Sequence, residues 1–315
     1  MNDAPSPAPA VSLIIPVLNE RESLPELHRQ IAAVASAHQL NLEVLFIDDG
    51  STDGSWEVVR QLAAADPRVR GVRFRRNFGK AAALQAGFQR VRGRFAVTLD
   101  ADLQDDPAEI PNFLALLEKD YDLVSGWKKV RHDPVHKVFP SRVFNGMVTW
   151  LTGVKLHDHN CGMKGYRAEV CREVRLYGEL HRFVPVLAHA RGFRVGELII
   201  HHRPRQFGRS KYGLRRFLRG LFDLLAVRYV VTYSRRPMHW YGSWALLLLL
   251  PAAAGVFWEI PCVGPLTYFS LLLAAIVYLL GLQAETLALL RADDPYGVRE
   301  EIGNDMSSPQ RGAGK

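Results

Sequence analysis

From residue 11 to about 126, short runs rich in Val, Ile, Leu and Phe alternate with longer stretches whose apolar residues return every three or four positions. That alternation restricts the fold most. Strands too apolar to face water must be covered on both sides, and crossover helices are what cover a parallel sheet. Segments 11–17, 42–48, 69–74, 95–100 and 122–125 are predicted as strands. Leu24, Leu27, Ile31 and Val34 form one helical stripe, and 55–65, 80–91 and 107–119 follow the same period, with Pro107 suited to a first turn. The predicted class is α/β, a parallel sheet with crossover helices.

With 315 residues, 48% of them hydrophobic, the chain is long enough for a substantial core. A net charge of +8 suits nucleic acid, anionic lipid or a phosphorylated substrate, so its placement matters. Between His201 and Gly220 there are seven Lys/Arg and no Asp/Glu, directly before the apolar C-terminal region, which favours a membrane surface. No zinc-finger, RNP or helix-turn-helix pattern is present, and no nucleic-acid partner is expected. Cys161, Cys171 and Cys262 form no CxxC pair, which indicates neither a disulfide framework nor a zinc site. Residues 1–10 are Pro/Ala-rich without an apolar h-region, so they read as a disordered start rather than a signal peptide.

Two uncharged apolar stretches, about 240–258 and 260–284, each reach the roughly 20 helical residues needed to cross a ~30 Å hydrocarbon core. Pro261, Gly264 and Pro265 in the short link between them predict a two-helix transmembrane hairpin, the second helix starting near 264, rather than one long helix. Arg235 and Arg236 before it and Arg291 after it, against a link whose only charge is Glu259, place both termini in the cytosol of a multi-pass inner-membrane protein. Trp240, Tyr241, Trp244 and Trp258 are positioned as interfacial anchors, and a buried helical hairpin is the alternative. Upstream, Leu214, Phe217, Leu218, Leu221, Phe222 and Leu225 share one helical face, with Arg215, Arg216 and Arg219 elsewhere on it. Such a helix lies on anionic lipid, packs on the rest of the protein, or both.

Segment 42–48 runs into Asp48-Asp49-Gly50-Ser51-Thr52-Asp53-Gly54, and segment 95–99 into Asp100-Ala101-Asp102-Leu103-Gln104. Ligands of open α/β sheets bind beyond the carboxyl ends of the strands, where both clusters fall. The first cluster suits a ribose or a base edge, or else is a turn in which Asp53 or Ser51 starts the next helix. The second offers hard oxygen ligands for Mg2+ or Mn2+, and a cation there would neutralise a diphosphate leaving group.

Four motifs in order, 11–20 (VSLIIPVLNE), 47–53 (IDDGSTD), Asn77-Phe78-Gly79-Lys80 and 100–104 (DADLQ), resemble family 2 glycosyltransferases of the GT-A, Rossmann-like fold. Within that family the chain resembles, over about 11–291, the polyprenyl-phosphate branch: dolichyl-phosphate mannose synthases, bactoprenol glucosyltransferases and undecaprenyl-phosphate aminoarabinose transferases. The resemblance implies that Pro16, Leu18, Glu20, Ile47 and Asp49 line a nucleotide pocket, with Leu18 standing where an aromatic is common. It implies that Asp100, Ala101 and Asp102 face the diphosphate, that Asp102 and Gln104, with Asp100, hold the metal, and that Lys128 falls near an arginine of some relatives.

The branch signature is 205–212 (RQFGRSKY), whose Arg205 and Lys211 bracket a Gly and a Ser and suit phosphate: the donor's, the lipid's, or both. A non-specific basic juxtamembrane loop is the alternative. Asp158, in 158–166 (DHNCGMKGY), matches the family's acceptor-side acidic segment, as base or as positioning residue. His157, His159, His201 and His202 read as surface or phosphate-contacting histidines rather than as a metal site. The expected layout is a disordered 1–10, a GT-A catalytic domain over 11–211, amphipathic juxtamembrane helices over 212–239, the hairpin within 240–290 and a cytosolic tail over 291–315. The expected partners are a nucleotide-sugar donor (UDP or GDP), a polyprenyl-phosphate lipid, a membrane and a possible second copy of the chain. A processive polysaccharide synthase usually carries a Q-x-x-R-W segment, which is lacking here. An inactive membrane-tethered scaffold would not need the retained Asp100, Asp102, Arg205 and Lys211. A dehydrogenase would need a G-x-G-x-x-G after the first strand.

Overall fold

The computed structural model describes residues 9–129, 135–201, 203, 214–232 and 298–302, together with positions 272, 276, 279, 283 and 286. The chain divides into two compact units, 1–211 joined by 295–315, and 212–294. In the first unit the strands are β1 (Val11–Val17), β2 (Leu42–Asp48), β3 (Val69–Phe74), β4 (Phe95–Thr98), β5 (Leu123–Trp127), β6 (Lys164–Arg167), β7 (Val195–Ile199) and β8 (Val298–Ile302). Its helices are α1 (Leu24–Ala37), α2 (Ser55–Ala65), α3 (Lys80–Phe88), α4 (Ile110–Lys119), α5 (Val135–Thr152), α6 (Ala168–Glu173) and α7 (Val184–Ala190), while α8 (Leu214–Thr232) belongs to the second unit.

The strands form one sheet in the order β7-β5-β6-β4-β1-β2-β3-β8. Strands β1 to β4 are parallel to their neighbours among themselves, as the alternation predicts. The sheet as a whole is mixed: β6 lies antiparallel between β4 and β5, and β8 antiparallel along β3. Strand β6, four residues with Lys164 and Arg167 at its ends, carries no apolar run to announce it. Strand β8 falls in the segment expected to be a plain tail.

Strands β1 and β2 are buried along nearly their whole length, and α1 seats Leu24, Leu27, Ile31 and Ala35 against the same core. The stripe ends on Ala35, not Val34, which is only half-buried. Helix α3 departs from the amphipathic expectation. It ends at Phe88 rather than 91, and Ala81 and every residue from Ala83 to Phe88 is buried, because the sheet covers one side and the segment around 176–183 the other. Gln85 on its far side accepts a hydrogen bond from the Leu176 N–H at 2.6 Å.

Pro16 sits in a central strand, where a missing N–H normally breaks a ladder. Here the β1–β4 pairing stops at Ile14 opposite Thr98, and the Ile14 carbonyl accepts from the Leu99 N–H just beyond. Positions 14 and 16 of β1 face β4, so the absent donor falls past the end of β4, where the two chains part. The gap they leave is the mouth of a cleft.

In the second unit α8 buries Gly220, Leu224 and Val227 at helical spacing and leaves Phe222, predicted on the apolar face, 62% exposed. The predicted spans 240–258 and 264–284 lie outside the described residues except at 272, 276, 279 and 283, which are helical. No helix among the described residues is long and apolar enough to cross a membrane. Arg205, Lys211 and His202 also lie outside them.

Candidate active site

At the carboxyl ends of β1, β2 and β4 an open cleft of about 270 Å3 is lined by Pro16, Leu18, Glu20, Asp49, Lys80, Asp100, Ala101 and Asp102, with Val17, Asn77, Gly79 and Ala83. Its rim is built by two loops stitched together. Asn19, with a positive φ of 58°, takes the Thr52 N–H on its side-chain oxygen at 2.9 Å, while its own N–H donates to Ser51 Oγ at 3.0 Å. Gly50, at φ 75°, is the residue on which the next loop rests: a Cβ there would stand 2.5 Å from the Arg76 carbonyl carbon.

Asp49 is spent on the backbone. Its two carboxylate oxygens accept the N–H groups of Phe78 and Gly79 at 2.7 and 2.9 Å, so it fixes the start of α3 in the cleft wall. Burial raises its carboxyl above the usual range, partly offset by those two N–H groups. Asp48, fully buried, is raised by the same cause; it takes the Ser51 N–H at 3.0 Å and faces the Arg73 guanidinium at 3.4 Å. Asp53 does what a capped turn requires, accepting from Ser55 and from the Arg21 N–H.

Asp100 is ion-paired with Lys80, the first residue of α3. Burial alone would raise the Asp100 carboxyl, but the Lys80 ammonium against it, with Lys128 and Lys164 behind, lowers it to about 2. Its second oxygen lies against Gly162, where a Cβ would come within 2.5 Å. Asp102 accepts the Gln104 N–H at 3.2 Å, and Leu103 between them is held at φ 62°. Gln104 is outside the cleft lining; its backbone carbonyl takes the Arg203 N–H. Ile47 is also outside it, fully buried in β2 beside Pro16.

Behind the aspartates stands a buried layer of which the resemblance singled out only Lys128. Asp105 pairs with Lys128 at 3.0 Å and accepts the Asp100 N–H at 3.3 Å. Burial acts to lower Lys128, but Asp105 outweighs it and holds the ammonium well above the usual lysine range. Lys164 on β6 is buried and lowered by that burial, and donates to the Cys161 carbonyl. Cys161 and Cys171 are free and buried, and burial pushes the Cys161 thiol up to about 12.

Asp158 is outside the cleft lining, on a turn that reaches Asp100 through Gly162. Glu197 of β7 anchors that turn, taking the N–H groups of His157 and Asp158 at 2.9 and 3.0 Å and the His157 ring at 2.7 Å. His157 stacks on Trp127 with centroids 4.0 Å apart. His159, expected either at the surface or in contact with phosphate, does not lie at the surface. It is fully buried beside Thr149, and burial, with Lys164 adding to it, lowers its imidazole to about 4.

No group of three His, Cys, Asp or Glu side chains among the described residues is gathered to hold a metal alone. The donor set suits a hard cation of another kind: Mg2+-like ions are held by one or two carboxylates plus substrate phosphate, and Asp100 and Asp102 offer those two.

A mixed sheet whose carboxyl-end cleft is lined by a D-x-D pair defines a GT-A-like α/β fold. The chain belongs to the Glycosyl transferase family 2, whose pattern matches residues 12–175. It is 40% identical over 241 residues to dodecaprenyl-phosphate galacturonate synthase of Rhizobium johnstonii, covering 75% of this chain and 71% of that one. It is 37% identical over 272 residues to undecaprenyl-phosphate 4-deoxy-4-formamido-L-arabinose transferase of Shewanella sediminis, covering 83% and 81%. Glucosyl-3-phosphoglycerate synthase of Mycobacterium tuberculosis, solved with Mn2+, UDP and glucosyl-3-phosphoglycerate, shares the fold at a TM-score of 0.55 and 16% identity, over 71% of this chain and 80% of that one.

Proposed function

We propose that this chain is an inverting glycosyltransferase that moves a sugar from a UDP- or GDP-sugar to a polyprenyl phosphate at the cytosolic face of a membrane, using Mg2+ or Mn2+. One observation carries the reading. In a family 2 chain whose relatives are named for transfer to dodecaprenyl and undecaprenyl phosphate, Asp49, Lys80, Asp100 and Asp102 converge on one strand-end cleft.

The exposed Leu18 and Pro16 form the apolar wall against which a base rests, with Glu20 beside them. Asp102 and Asp100 would hold the cation, which when bound supplies positive charge to the diphosphate oxygens. Arg205 and Lys211 add fixed positive charge for the donor or lipid phosphate. An oxygen of the lipid phosphate attacks the anomeric carbon, a new carbon–oxygen bond forms, and the bond to the nucleoside diphosphate breaks with its electron pair leaving on the diphosphate. Configuration inverts. A phosphate monoester, with a second pKa of about 6, needs little deprotonation, so Asp158 serves chiefly to place it, on the turn fixed by Glu197. The rate then comes from placement and charge stabilisation rather than from proton abstraction.

The membrane reading rests on the two apolar stretches and the basic segment before them. Strand β8 supports the same-side placement of both ends: the chain leaves the first unit near 211 and rejoins its sheet at 298–302. Membranes carrying the full chain, given a panel of labelled UDP- and GDP-sugars, should pass label to an extractable lipid with release of the nucleoside diphosphate. Label in polymer but never in lipid would make the chain a processive synthase, and no turnover with any donor would favour a scaffold.

A further inference from the structure

The described lining of the cleft holds four carboxylates, Glu20, Asp49, Asp100 and Asp102, against one basic residue, Lys80. Such a lining repels a polyanionic diphosphate. The lysine is itself committed, its ammonium resting on Asp100. Its backbone is fixed, because Asp49 grips the N–H groups of Phe78 and Gly79 immediately before it. Its side chain is a flexible four-carbon stem, about one-third exposed and able to swing within the cleft.

We propose that Lys80 is the stand-in cation of the nucleotide-free cleft: it neutralises Asp100 until a divalent cation arrives with the donor, and then turns to the donor's diphosphate. The exchange keeps charge balanced at each stage. Asp100 trades one cation for another, and the released ammonium meets the phosphate charge that entered. Metal and nucleotide therefore bind with positive coupling that passes through Lys80. The idea rests on the proposed nucleotide-sugar donor, but its first readout does not need one.

The test uses the full chain in detergent and titrates Mn2+ by electron paramagnetic resonance, without nucleotide and then with UDP or GDP. Lys80→Met, which vacates Asp100, should bind Mn2+ alone about tenfold more tightly than the wild type, while its affinity for the nucleotide in the presence of Mn2+ falls by a similar factor. Lys80→Arg should remain close to the wild type in both. Unchanged or weaker Mn2+ binding by Lys80→Met in the absence of nucleotide overturns the proposal. Should Lys80→Met fail to fold by circular dichroism, Asp100→Asn decides: it releases the lysine, so metal-free binding of the nucleotide must tighten, and no change overturns the proposal. If the wild type binds neither UDP nor GDP, the donor reading falls, and the nucleotide-free Mn2+ comparison still decides the role of Lys80.

Discussion

Asp102 is the residue on which the proposed chemistry leans hardest, and its environment allows a clean test. It lines the cleft as a polar side chain that accepts the Gln104 N–H and is not part of the apolar core, so replacing it removes charge from the cleft wall without opening that core. Asp102→Ala should lower turnover by roughly two to three orders of magnitude, the usual cost of losing one preorganised charge-stabilising group, while the thermal melt stays near the wild type. A metal-independent, active Asp102→Ala protein would contradict the mechanism. His159 gives a second test, in pH. Its imidazole is lowered to about 4 by burial, against about 6.5 when unfolded. Between those values the unfolded chain binds the extra proton, so stability is full above pH 6.5 and is lost as pH falls toward 4, by up to ~1.4 kcal/mol per pH unit. His181, also lowered well below its ordinary value by burial, adds in the same direction. Urea melts from pH 4 to 7 should therefore show a shallower slope for His159→Gln, and an unchanged slope would mean that His159 is not buried in its neutral form. Asp49, Asp100 and Asp102 were legible because they follow apolar strands directly. Asp105 and Glu197 were not, because they act on Lys128 and His157 across 23 and 40 residues of chain, where no spacing rule applies; Lys128 was reached only through the family resemblance, and Lys164 lies on a strand too short to announce itself.

The elements that place the cleft are packed closely enough for single methyl groups to matter. Gly87 of α3 crosses β1 so tightly that a Cβ would stand 2.3 Å from the Ile14 side chain. Gly87→Ala must push α3 away from the sheet, and overpacking of this kind costs about 1–3 kcal/mol. Urea unfolding should read that loss. Because the same helix begins at Lys80, nucleotide affinity should fall as well, and a variant that loses stability with binding untouched would separate the two. Strands β1 to β3 and helix α2 were readable to within a residue or so because their apolar pattern holds over six or more positions. Helix α3 was mislocated at its end because a helix covered on every side has no polar face to mark where it stops. Strand β6 was missed because its register comes from its neighbours: Lys164 to Arg167 pair with β4 on one side and β5 on the other, and four residues of mixed polarity carry no signal alone.

At the scale of the whole chain, β8 ties the C-terminal segment back to the sheet that carries the cleft. Without it β3 would be the exposed edge, a row of unpaired N–H and C=O groups open to other chains. A sheet cannot be drawn through a bilayer, where unpaired backbone groups cost several kcal/mol each. If the apolar stretches 240–258 and 264–284 are membrane spans, the number of crossings between residue 211 and β8 must therefore be even, and two stretches make one hairpin. The positive-inside distribution of Arg235, Arg236 and Arg291 reaches the same topology independently. A green fluorescent protein fused after Lys315 should fluoresce, and alkaline phosphatase inserted in the Glu259–Pro265 link should be active. The opposite pattern at either site would break the link between β8 and the hairpin. Removing residues 295–315 should lower the melting temperature of the catalytic unit and promote its association through β3. An unchanged melt would mean that β8 does not hold that edge in solution.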